Sequence, residues 1–204
     1  IYDNIRKAMA FIFAVHVPIA GFALLPLLLG MPILFGPIHI ALLEMVIDPV
    51  CAFVFEAEGE EADVMSRPPR SPEDRLFSWG MVAWSLLVGI YGWAIWQGMD
   101  EGQIRTLIFS ALVAAIMSLI LVNRSYAASL GKALLRKNAA FVFVVVSIAM
   151  ISAVIALVPK VSELLKFSGL SWQDGLIAFG TAMALLLFLQ GAKLLLPCHS
   201  LAHQ

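Results

Sequence analysis

The stretch Pro37-Ile-His-Ile-Ala-Leu-Leu-Glu44-Met45-Val-Ile-Asp48-Pro49 places two carboxylates four residues apart inside a hydrophobic run. Twelve of the fourteen acidic residues lie in polar connections or at segment ends, so these two stand apart. A carboxylate at mid-bilayer costs roughly 2.5 to 3.5 kcal/mol on insertion scales, and two of them demand a compensating partner. A transported cation is the natural one. The i, i+4 spacing puts both side chains on one helical face, and Pro49, lacking an N–H, cannot donate to the carbonyl of Met45. One turn of helix therefore offers only oxygen ligands: Glu44, Asp48 and the Met45 carbonyl. The plainer alternative is a protonated pair, hydrogen-bonded inside a helix bundle.

The surrounding composition decides the class. Of 204 residues, 61% are hydrophobic and 13% charged, which is too apolar for a soluble domain. A membrane span needs about 20 apolar residues. Six segments qualify, at 8–29, 33–55, 76–96, 104–122, 139–158 and 176–196. The predicted fold is an all-α, six-helix membrane bundle over residues 1–196, with a polar loop at 56–75 and a tail at 197–204. Pro18 and Pro26 are expected to break the first helix and Pro49 the second. With both termini on the cytoplasmic side, ten of the thirteen Lys and Arg residues fall inside and only Arg105, Lys160 and Lys166 outside, as the positive-inside rule requires. Trp79 and the pair Trp93 and Trp96 suit the two aromatic belts.

A net charge of −1, with no basic patch among aromatics, gives no sign of a nucleic-acid partner. Cys51 and Cys198 imply no disulfide framework. The chain starts at Ile1 and reads as a part of something longer.

His16 lies between the carbonyls of Ala14 and Phe22 that Pro18 and Pro26 leave free, as a ligand, a proton carrier or an interior hydrogen-bonding group. Gly30-Met31-Pro32 forms a tight turn, so the first two helices are adjacent and antiparallel, which brings His16 toward the carboxylate helix. His39 points well away from Glu44 and is read as packing. The loop, with seven acids between Glu56 and Asp74 and with Pro68, Pro69 and Pro72, is an extended linker or a docking strip for a cytoplasmic domain. The last four spans, almost free of interior charge and supplied with Gly89, Gly92, Ala111 and Ala115, read as scaffold. Residues 160–172 are expected along the outer interface. Cys198, His199 and His203 suit a disordered tail better than a metal site.

Three runs carry a family likeness: Ile1-Tyr-Asp-Asn-Ile-Arg-Lys7, Glu44-Met-Val-Ile-Asp48-Pro49 and Asp63-Val-Met-Ser-Arg-Pro-Pro-Arg-Ser-Pro72. They resemble the C-terminal membrane half of cation-transporting P-type ATPases, in the calcium-pump branch and its bacterial relatives. The likeness runs from Ile1 to about Leu196 and implies that the six spans are the fifth to tenth of ten. By resemblance, Asp48 matches an ion-binding aspartate of the sixth span, and Glu44 and His16 stand where that family has asparagine ligands. Ile19, Ile47 and Ile116 replace a glutamate, a threonine and a glutamate of the family pattern. All three losses fall on one of the two calcium sites known there, which implies one transported ion per cycle. Metal ligands are thus expected at Glu44, Asp48, Met45 and His16, for Ca²⁺ first and Mn²⁺ or Mg²⁺ next.

The resemblance also implies a bacterial inner membrane location, and as partners the lipid bilayer, the N-terminal half of the pump and its cytoplasmic domains. ATP and its Mg²⁺ would bind only in those other domains, because this sequence carries no Asp-Lys-Thr-Gly-Thr phosphorylation motif and is expected to be inactive alone. Rival readings are a self-standing small secondary transporter or channel, and a non-transporting membrane module.

Overall fold

The computed structural model describes residues 2–30, 33–57, 79–124, 138–169 and 171–195. Its helices are α1 (Tyr2–Leu29), α2 (Pro37–Pro49) running into a π-helical turn (Val50–Val54), α3 (Trp79–Trp96), α4 (Glu101–Asn123), α5 (Ala139–Leu157), the short α6 (Pro159–Leu164) and α7 (Trp172–Leu195). The polar loop beyond residue 57 and the tail from 196 lie outside the described residues.

Among the described residues five helices are long and apolar enough to cross a membrane, with windows at Phe11–Leu28, Pro37–Val54, Glu101–Val122, Ala139–Leu157 and Trp172–Gly191. α3 adds a shorter apolar stretch, Leu86–Ile95. The chain is an all-helical integral membrane protein. Helices are the form expected, because every backbone polar group in hydrocarbon must be satisfied within its own segment.

α4 is the central post. It packs against α7, α1 and α3, and its residues Leu107, Ile108, Leu112, Ile116 and Ile120 are almost completely buried. Lipid tails are as apolar as leucine, so close packing and polar links hold such helices together rather than hydrophobic expulsion. Ala111 and Ala115 permit that approach, and the Ser118 hydroxyl reaches the Ala182 carbonyl of α7 at 3.1 Å. α5 lies at the margin, with only Val144 and Ile148 buried along its length.

Local signals set the helix ends. Asp100 accepts from the Gln103 N–H at 2.9 Å while the Gln103 side chain accepts from the Asp100 N–H at 3.1 Å, a reciprocal cap on α4. Ser171 and Asp174 exchange hydrogen bonds in the same manner at the start of α7. α7 therefore begins at Trp172, four residues before the hydropathic run predicts. Pro37 opens α2, where a missing N–H costs nothing, so Ile33–Phe35 precede the helix although the apolar run includes them. Arg124 closes α4 fully buried, its guanidinium 4.4 Å above the Phe141 ring.

Asn138 links the carboxylate helix to this frame. Its side-chain oxygen accepts from the Phe141 N–H at 3.0 Å, capping α5, and its amide donates to the Val54 carbonyl at 3.1 Å, at the end of the π turn. Replacing it with alanine removes both bonds in a buried position. Asn138→Ala should lower stability by about 1 to 2 kcal/mol, read as a drop in the melting temperature of the detergent-solubilised full-length protein; an unchanged transition would contradict the assignment.

Candidate ion-binding site in the membrane

α2 presents two unlike faces. His39, Leu43, Val46 and Ile47 turn inward and are buried. Asp48 is exposed, Glu44 is half-exposed, and the side chain of Met45 is 59% exposed. The carboxylates thus share the open side of the helix. Immediately after them the helical register changes: Pro49 offers no N–H, and the chain continues in i→i+5 pairing, with the Phe55 N–H donating to Val50 O at 3.3 Å. Single π turns inside helices often accompany functional sites, because they loosen the local ladder and redirect side chains.

α1 contributes the third group. His16 Nε2 lies 3.6 Å from Glu44 Oε1, which places the histidine against the carboxylate helix. His16 Nδ1 lies 2.9 Å from the Ile12 carbonyl, which can only accept, so this nitrogen carries a hydrogen. A neutral ring then turns a lone pair toward Glu44.

The three isoleucines differ in kind from this open strip. Ile19, Ile47 and Ile116 are 6%, 1% and 0% exposed and belong to one continuous apolar core. Their neighbourhood is close-packed hydrocarbon, which offers a cation no ligand. Among the described residues no group of three or more His, Cys, Asp and Glu side chains converges closely enough to hold a metal. Glu44, Met45, Asp48 and His16 form an open strip across α1 and α2. Cys198, His199 and His203 lie outside the described residues.

Polar side chains beyond this strip were not evident as functional from the sequence. Arg105 is buried in α4 and donates to the carbonyls of Leu34 at 2.7 Å and Lys166 at 2.9 Å. His39 is 4% exposed and makes two hydrogen bonds, one of them to the Leu165 carbonyl at 2.8 Å. Within the stretch read as interfacial, Leu165 is buried and its carbonyl accepts from His39, while Leu164 and Trp172 are exposed. The bonds of Arg105 and that of His39 to Leu165 join residues 61 to 126 positions apart, and no local pattern announces them.

Comparison with known proteins agrees with this architecture. Residues 32–195 match the family described as "Cation transporting ATPase, C-terminus". The Calcium-transporting ATPase of Bacillus subtilis is 33% identical over 94 residues, 44% of this chain and 11% of that protein. The Cation-transporting ATPase pma1 of Synechocystis is 24% identical over 189 residues, 85% of this chain and 21% of that protein. The alpha subunit of a sodium/potassium-transporting ATPase from Drosophila melanogaster is 33% identical over 72 residues, 35% of this chain and 7% of that protein. The chain thus spans about a fifth or less of the length of these relatives. With a membrane-helical fold and a family match that takes in all but the first of its spans, the chain belongs to the C-terminal membrane part of the cation-transporting P-type ATPases.

Proposed function

We propose that this chain is the ion-binding membrane part of an ATP-driven pump that exports one divalent cation per cycle, Ca²⁺ first, with Mn²⁺ and Mg²⁺ behind it. The observation that carries the reading is the open strip of Glu44, Asp48 and Met45 on α2, with His16 against it, directly before a proline and a π turn. Carboxylates left open at this depth would be costly in lipid, so another part of the protein covers them. In this reading the cover is the N-terminal half of the pump, which supplies the remaining ligands. Carboxylate and carbonyl oxygens favour a hard cation. The B. subtilis relative is named for calcium, which supports ranking that ion first.

The single-ion stoichiometry rests on Ile19, Ile47 and Ile116, whose buried side chains fill positions that would otherwise serve a second ion. Both termini on the cytoplasmic side follow from the distribution of Lys and Arg, while export from the cytosol across a bacterial inner membrane rests on the family likeness alone. ATP hydrolysis belongs to the domains outside this chain.

Two measurements test the reading. ATPase activity of the full-length pump, assayed against Ca²⁺, Mn²⁺, Mg²⁺ and K⁺, should be stimulated by one divalent cation, and Asp48→Asn should abolish that stimulation. Activity indifferent to both the cation and the substitution would sink it. Ile116→Glu restores the family's carboxylate in a fully buried apolar position. It should cost several kcal/mol of stability and create no second ion site, seen as a lowered melting temperature with unchanged stoichiometry. A second bound ion in that variant would show the site to be latent.

A further inference from the structure

The end of the bundle that holds the α1–α2 turn is closed by a strap, residues 159–169, comprising α6 and the turn after it. Arg105 anchors the strap through the Lys166 carbonyl at 2.9 Å, and on its other side holds the Leu34 and Ile33 carbonyls at 2.7 and 3.4 Å. Ser168 is tied to α4: its N–H donates to Thr106 Oγ1 at 3.1 Å and its hydroxyl to Asp100 Oδ1 at 3.3 Å. Between these anchors Lys166 takes a left-handed backbone conformation, φ 51°, which a residue with a Cβ adopts only under constraint. The strap is therefore fastened in a bent form that its own sequence does not favour.

His39, in the first turn of α2, is the remaining fastener. The Gly36 N–H donates to its Nδ1 at 3.1 Å, so Nδ1 bears a lone pair and the ring hydrogen sits on Nε2, which donates to the Leu165 carbonyl at 2.8 Å. One neutral imidazole thus holds both the start of α2 and the strap. Phe35, Phe109 and Phe167 surround the ring at 5.4 to 6.4 Å between centroids. A second proton can enter only at Nδ1, where it would meet the Gly36 N–H, donor against donor. The charged groups that face the ring are Arg105 from α4 and Lys166 from the strap, both cationic, and α3 and α5 carry no charged residue along their lengths. Among the described residues no carboxylate faces the ring to receive an imidazolium.

We propose that His39 is a pH-sensitive latch: neutral, it fastens the 159–169 strap over the end of the carboxylate helix; protonated, it releases the strap and frees that end of α2. The consequence for transport, that acidity on the outer side loosens the exit end of the ion helix, rests on the orientation and ion site given under Proposed function. The latch itself does not.

The sign follows from linkage. A closed latch excludes the proton and an open one accepts it near the ordinary histidine value of about 6.5. The open fraction is therefore constant above that pH and rises about tenfold per pH unit below it.

Hydrogen exchange of the full-length protein in lipid nanodiscs, between about pH 5 and 8 and corrected for the intrinsic rate, reads this directly. Peptides covering 36–40 and 165–169 should lose protection about tenfold per unit below pH 6.5, while the α4 core over 107–120 stays protected. His39→Gln, which keeps an amide donor for Leu165 but takes no proton, should give a flat profile. Gly102→Ala should loosen the strap at every pH, because the new Cβ collides with Ser168 Oγ and comes within 3.1 Å of Ser168 Cβ. A flat profile in the unmodified protein, or a slope that survives in His39→Gln, would overturn the proposal. Exchange requires no turnover, so Asp48→Asn should leave these profiles unchanged even while it removes ion binding, which keeps failure of the latch separate from failure of the ion site.

Discussion

A carboxylate surrounded by hydrocarbon has to be matched by charge, by hydrogen bonds or by a proton, and this requirement governs the molecule from α2 outward. Glu44 and Asp48 lie on the one side of α2 that the other described helices leave open, and His16 is the only other ionisable side chain of α1 and α2 within ion-pair reach of them among the described residues. The opposite side of the same helix is buried in a continuous apolar core. Such a helix is stable only if its open face meets more protein. The relatives that this chain matches extend well beyond the matched segment.

The rest of the bundle holds that helix at both ends and leaves its middle accessible. At one end Asn138 takes the Val54 carbonyl, at the other Arg105 and His39 take carbonyls on either side of the α1–α2 turn and the strap. Between them Pro49 and the π turn interrupt the regular ladder directly after the carboxylates. Side chains held by rigid elements with independently anchored ends keep their geometry better than those on loops.

What could be read from residues alone follows from how local each signal is. Glu44 and Asp48 were conspicuous because charge inside an apolar run is rare, and Pro49 marked the irregular turn because proline lacks an N–H. The contact of His16 with α2 followed from a short turn between two spans. Helix ends were less legible: the start of α2 depended on Pro37 at the first helical position, and that of α7 on a Ser171–Asp174 cap within a polar stretch, and hydropathy registers neither. Arg105 counted only as an outer charge, although it is buried and satisfied by carbonyls 61 to 72 residues away. Which partner a side chain finds across such a separation depends on the packing of whole helices, and one sequence does not display that.

The central claim is a single hard-cation site built on Glu44 and Asp48. Equilibrium binding of ⁴⁵Ca²⁺ to the purified full-length pump, counted per polypeptide, tests it most directly. The account predicts one ion per chain, lost in Asp48→Asn and in Glu44→Gln. Two ions per chain, or one that survives both substitutions, would contradict it.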